Sequence, residues 1–99
     1  MEDPAICCPA PELSVFPNPF TTQATIRTIL PDGGPALLEI FNLNGQRVAA
    51  LLSGEMDAGQ HEYSWDGTDS RGRQLSAGVY MVRLRTEKGL TTRRLILAR

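Results

Sequence analysis

The stretch Leu75–Leu84, L-S-A-G-V-Y-M-V-R-L, decides the fold. Small residues and a glycine end a loop, and strict alternation follows. Tyr80, Val82 and Leu84 fall on one side, and Met81, Arg83 and Arg85 on the other. Alternation with period two is the mark of a half-buried β-strand, and the Ser76-Ala77-Gly78 step is a tight entry into it.

Working outward, the same pattern recurs in six further segments. Toward the C-terminus, the turn Glu87-Lys88-Gly89 leads into a last strand over Leu90–Ala98. Toward the N-terminus, a glycine-bearing loop over Gly67–Gly78 precedes the key stretch. Before it comes Gln60–Asp66, where His61, Tyr63 and Trp65 share a face. Gln46–Leu52 aligns Val48, Ala50 and Leu52, with a turn expected over Ser53–Gly59 and some helical character possible at Leu51. Asn42-Leu43-Asn44-Gly45 reads as a hairpin turn, because an Asn-Gly pair tolerates positive φ. Ala36–Phe41 aligns Leu38 and Ile40, and Gln23–Leu30 aligns Ala24, Ile26, Thr28 and Leu30. Leu13–Phe16 is a short strand stopped by Pro17-Asn18-Pro19.

No segment has a convincing 3.6-residue period. Short strands with turn signals about every 8–12 residues predict an all-β, seven-stranded antiparallel sandwich of immunoglobulin-like type. Its expected core is Val15, Ile26, Leu38, Ile40, Val48, Trp65, Tyr80, Val82 and Leu84. Gly45 and Gly78 are expected as backbone requirements at turns where φ is positive.

Ninety-nine residues make one domain, and 41% apolar content suffices for one core. Residues 1–12, with Pro4, Pro9 and Pro11, read as a proline-stiffened linker or tail, and residues 13–99 as the domain. Adjacent Cys7 and Cys8 cannot staple the core from that tail, and neighbouring cysteines pair poorly. No apolar run approaches the ~20 residues of a membrane helix. No charged segment followed by an apolar one opens the chain, so no signal peptide is expected, and the chain is either cytosolic or cut from a longer precursor. The formal charge of −1 gives no basic excess of the kind nucleic-acid binding needs.

The residues offer little for catalysis. His61, the single histidine, alternates with Tyr63 and Trp65 and reads as a strand residue at the core's rim. No zinc-ligand spacing, phosphate loop or nucleophile elbow is present, so neither enzyme activity nor a cofactor or metal is expected. Asp66 and Asp69 cluster, but two acids without a third suit backbone hydrogen bonds in a tight turn better than a calcium loop. Most aromatics fall on apolar strand faces, with Phe41 the one expected to be exposed, so a carbohydrate-binding platform has little to stand on.

Four segments together carry a family resemblance. They are F-P-N-P-F at Phe16–Phe20, L-E-I-F-N-L-N-G-Q-R-V at Leu38–Val48, the stretch Leu75–Leu84, and R-R-L-I-L-A-R at Arg93–Arg99. In this order they resemble the C-terminal sorting domain (type A) of the type IX secretion system. W-D-G-T-D-S-R-G-R-Q-L, Trp65–Leu75, also resembles the immunoglobulin-like domain of flagellar hook-capping proteins. The first resemblance implies a non-catalytic export signal at the end of a cargo protein with a catalytic or adhesive upstream domain. It implies recognition by the outer-membrane translocon and removal by a surface cysteine peptidase within Met1–Leu13. The location implied is the periplasm in transit, then the outer-membrane surface or the medium. The residues it marks are Pro17, Asn18, Pro19, Gly45, Gly78, Tyr80, Arg93, Arg94, Leu95 and Arg99. The family's last strand usually carries lysines where this chain has arginines, which differ in hydrogen-bonding geometry. The alternatives are a structural immunoglobulin-like spacer and a carbohydrate-binding module of an extracellular protein.

Overall fold

A computed structural model describes residues 11–98. The strands are β1 (Glu12–Phe16), β2 (Ala24–Leu30), β3 (Gly34–Phe41), β4 (Arg47–Met56), β5 (Gly59–Trp65), β6 (Gly78–Thr86) and β7 (Gly89–Leu97). They form a three-stranded sheet, β1-β2-β5, and a four-stranded sheet, β4-β3-β6-β7. Every pairing is antiparallel. The two sheets close into the immunoglobulin-like sandwich the alternation predicts. Helices are missing from the described residues.

The core forms where the period-two faces meet. Ala24, Ile26, Thr28 and Leu30 of β2 all point inward, as do Leu38 and Ile40 of β3 and Tyr80, Val82 and Leu84 of β6. Leu95 and Leu97 of β7 complete the layer. Thr28 is the polar member; its hydroxyl donates to the His61 carbonyl at 3.4 Å, a long bond that spares it full desolvation without a partner. Burying a Leu, Ile or Val side chain contributes about 1.5–3 kcal/mol, so these faces carry the fold.

The sequence expectation fails along β4. Val48, Ala50 and Leu52 do not share a buried face; Ala49 is the buried residue and Ala50 is exposed. Two register shifts against β3, at Leu38/Glu39 and Ile40/Phe41, are the cause. Each bulge inserts an unpaired residue and flips the alternation beyond it. The strand also continues to Met56, through the residues expected to turn. Val15 and Val48 pack against the core only partly buried. Among the aromatics, Phe16 rather than Phe41 is the exposed one, at 38%. Phe41 is covered by the Arg83 guanidinium, 4.1 Å from its ring centroid.

Candidate functional site

The residues of the F-P-N-P-F segment meet the last strand. β7 lies at the edge of its sheet, so half of its backbone groups face away from β6. The loop after β1 carries the chain across to that edge, with Phe16-Pro17 and Asn18-Pro19 both cis. There Asn18 acts as a piece of strand. Its Nδ2 donates to the Arg94 carbonyl at 2.8 Å, and its Oδ1 accepts from the Ile96 N–H at 3.0 Å. Phe20 extends the pairing with its own backbone. Its N–H donates to the Ile96 carbonyl at 2.9 Å, and its carbonyl accepts from the Ala98 N–H at 2.8 Å. An exposed strand edge invites pairing with other chains. This clasp covers the C-terminal half of β7 and leaves the outward backbone of Leu90 and Thr92 without a backbone partner among the described residues.

Beneath the clasp sits an aromatic corner. Phe20, only 1% exposed, packs on Trp65 with centroids 5.6 Å apart, and Trp65 meets Tyr80 edge-on at 5.5 Å. Both polar handles are satisfied: the Trp65 indole N–H donates to the Thr68 carbonyl at 2.8 Å, and the Tyr80 hydroxyl to the Ser76 carbonyl at 2.6 Å. The entry to β6 is set by Gly78, whose φ of +154° has no atom within 4 Å of a built Cβ. Backbone conformation rather than lack of space therefore asks for glycine there.

The ten marked residues thus separate by role. Pro17, Asn18 and Pro19 form the clasp loop. Tyr80 and Leu95 are buried core residues, out of a partner's reach while the domain is folded. Gly45 and Gly78 shape the backbone. Arg93 and Arg94 are exposed on opposite faces of β7, because adjacent strand residues alternate. They do not make one patch. Arg99, Cys7, Cys8 and most of the expected linker lie outside the described residues.

Two turns at this end of the sandwich share one design that sequence reading did not connect. In Asn42-Leu43-Asn44-Gly45-Gln46, Asn42 Oδ1 accepts from the Asn44 and Gln46 N–H groups, both at 3.0 Å. In Asp69-Ser70-Arg71-Gly72-Arg73, Asp69 Oδ1 accepts from the Arg71 and Arg73 N–H groups at 2.9 and 3.0 Å. The fourth residue is glycine in each, with φ of +83° at Gly45 and +82° at Gly72, a region that penalises other side chains. The Arg73 backbone N–H, foremost, holds the Asp69 carboxyl below its ordinary range, with help from the Arg71 N–H and the Arg73 charge. Asp66 instead accepts from the Thr68 hydroxyl at 2.6 Å.

On the outer face of the four-stranded sheet, Glu39 is 5% exposed and lies between two arginines, Arg47 and Arg83, each at 3.1 Å. Burial pushes its pKa upward, but the hydrogen bonds and charges of Arg47 and Arg83 outweigh this and hold it below the ordinary glutamate value. His61 Nε2 lies 2.8 Å from the Asp57 carbonyl, which makes that nitrogen a donor. No group of three or more His, Cys, Asp or Glu gathers to hold a metal among the described residues.

Comparison with known proteins places this geometry. The chain superposes on part of latent PorU from Porphyromonas gingivalis with a TM-score of 0.70 and 23% identity, covering 90% of this chain and 9% of that one. It superposes on part of PorZ from the same organism with a TM-score of 0.62 and 19% identity, covering 88% and 11%. At these identities the likeness is one of fold, and the chain spans about a tenth of either protein. FlgD from P. aeruginosa superposes with a TM-score of 0.57 and 26% identity, covering 85% of this chain and 67% of that one. The comparison with curated proteins finds no match. The model of the FlgD Ig-like domain matches residues 21–89, from just after the clasp loop to the first residue of β7. The chain belongs to the FlgD Ig-like domain family.

Proposed function

We propose that this domain is a non-catalytic export and sorting signal of the type IX secretion system, recognised through its last strand. One observation carries the reading. The matched immunoglobulin-like frame is residues 21–89. The two resembling segments outside it, Phe16–Phe20 and Arg93–Arg99, lie far apart in sequence, yet they are bonded to each other at one edge through Asn18 and Phe20. A spacer of this fold also needs Phe20, Leu95 and Leu97 in its core; the Asn18 side-chain bonds to Arg94 and Ile96 are what a spacer does not require. The fold shared with PorZ, described as a surface component of that secretion system, agrees with the reading.

In this reading the outer-membrane translocon pairs with β7 along Leu90–Thr92, where the outward groups have no backbone partner and the Thr92 carbonyl is held only by the exposed Arg93 guanidinium at 3.0 Å, and meets Arg93 and Arg94 next to that stretch. Pairing of this kind draws affinity from the backbone and specificity from alternate side chains. A surface cysteine peptidase then cuts upstream of β1, and the cargo stays at the surface or enters the medium. The competing reading is a structural spacer, favoured by the match to the hook-capping family's Ig-like domain.

The test fuses the chain to the C-terminus of an inert reporter in a cell that has the type IX system. The intact fusion should leave the periplasm. Replacing Arg93, Arg94 and Arg99 with Gln should hold the reporter in the periplasm while the domain stays folded, since surface changes of this kind usually move stability by about 0.5 kcal/mol or less each. A spacer shows no such dependence. An intact fusion that never leaves the periplasm rules out the sorting reading.

A further inference from the structure

The outer face of the four-stranded sheet carries a feature of which the sorting reading uses Arg94 alone. Leu43 is 71% exposed in the Asn42–Gln46 turn. The turn does not require it: the twin turn at Asp69 has Ser70 in the same place, bonded to the Val48 carbonyl through its N–H and hydroxyl. Leu43 therefore stands in solvent where a small polar residue serves the same geometry. Beside it, Val79 and Met81 of β6 and Arg94 of β7 complete a shallow hollow. Register places Ile96 next to Val79 and Arg94 next to Met81 on this face.

The charge on the face is one-sided. Arg47, Arg83, Arg85 and Arg94 project there, and Glu39 is already shared between Arg47 and Arg83. Among the described residues, neither Arg85 nor Arg94 has a salt-bridge partner. Besides Glu39, the acid this face carries is Glu55, opposite Pro35 at the far end from Leu43; in a chain whose formal charge is −1, most other acids lie elsewhere. Glu12, Asp32, Asp57 and Glu87 sit at the strand ends and turns of the opposite end of the sandwich. Arg94 lines the hollow and Arg85 lies four residues along β6 from Met81, so the face is complementary to an extended segment with an apolar side chain and carboxylates spaced along it.

We propose that this face docks an acidic, extended segment of a partner protein, with one apolar side chain in the Leu43–Val79–Met81 hollow and carboxylates on Arg94 and Arg85. The hollow is open, and the unpaired Arg94 and Arg85 are spread along the strands beyond it, which suits an extended segment. The docking rests on this face and its charge and does not depend on export.

The test uses the whole chain and three probes, followed through the methyl resonances of Leu43, Val79 and Met81. The probes are a blocked heptapeptide with a central leucine and glutamate elsewhere, its lysine counterpart, and phosphatidylglycerol vesicles. The glutamate peptide should shift these methyls saturably, and the lysine peptide should not. Affinity should fall at least about fivefold in Leu43→Ser and in Arg94→Glu, and with added salt, as rim charge contacts do. Arg71→Glu, on the Asp69 turn, should change nothing. Equal response to the lysine peptide, no response to the glutamate peptide, or response to vesicles alone overturns the proposal. So does concentration-dependent self-association that Leu43→Ser abolishes, because the occupant would then be a second copy.

Discussion

The Asn42–Gln46 and Asp69–Arg73 turns are built alike and used differently. Each begins with an Asx side chain accepting two backbone N–H groups and places a glycine at positive φ in its fourth position. The first joins two paired strands of one sheet. The second lies in the long connection between β5 and β6 and is tied to β4 through Ser70. One is neutral and displays a leucine; the other is charged and tucks its serine against a neighbour. The hydrogen bonds determine the shape of such a turn, and the second residue is free to serve something else. That difference separates requirement from use, and variants at both turns can test it.

The largest expected effect comes from Trp65→Ala. The ring is 3% exposed, joins Phe20 and Tyr80, and its N–H holds the Thr68 carbonyl just before the Asp69 turn. Removing it should cost about 3–5 kcal/mol in chemical denaturation. Hydrogen exchange should quicken at Gly72 well before it does at Gly45, because only the Asp69 turn loses an anchor. Equal quickening would mean that the two turns open together and the contrast in anchoring is empty.

Next come the glycines. With nothing within 4 Å of a built Cβ at Gly45 or Gly72, a valine there meets only the cost of its own backbone conformation. Gly45→Val and Gly72→Val should each cost of order 1–3 kcal/mol, and by similar amounts. A much larger loss at one of them would break the equivalence of the two turns.

Asn42→Ala removes the acceptor for two N–H groups in an exposed turn, where water can replace it. The expected loss is about 0.5–1.5 kcal/mol per bond at most, read from the denaturation midpoint. Asp69→Ala should act in the same direction.

Acid separates the turns. Because the folded Asp69 carboxyl is held below its ordinary value of 3.8, the unfolded chain takes up the proton first. Its stabilising contribution is complete above that value and is lost as pH falls through the lower folded one. Glu39, also depressed, adds to the same acid loss from its ordinary value of 4.5 downward. Asp69→Asn should remove the Asp69 share and leave that of Glu39. The Arg71 and Arg73 amide resonances should titrate at low pH while those of Asn44 and Gln46 stay still. Titration of all four together would show a global acid transition instead.

What could be read beforehand follows from how local each feature is. The Asn-Gly pair announces the first turn, and the sequence predicts that Asp69 bonds backbone amides, because Asx turns span only a few residues. Strands β2 and β6 alternate without interruption and were legible face by face. Strand β4 was not, since its bulges arise from pairing with β3, and Val48-Ala50-Leu52 looks regular until Ala49 is seen in the core. The clasp was hidden for a similar reason. Pro17-Asn18-Pro19 reads as a stop, and nothing local says that Asn18 will pair with residues 76 and 78 positions later.

The smallest expected effect is the most pointed. Leu43→Ser places at the first turn the residue its twin already has. Leu43 is 71% exposed, so little apolar burial is lost, and the Asn42 bonds that shape the turn use no Leu43 side-chain atom. Stability should change by no more than about 0.5 kcal/mol. The melting transition should match that of the original chain, and the Asn44 and Gln46 amide shifts should stay in place. A leucine kept at no structural benefit is then left with a role outside the fold. A loss well beyond that figure would mean that Leu43 supports the hairpin through Val79 and Met81, and the two turns would differ in construction as well as in use.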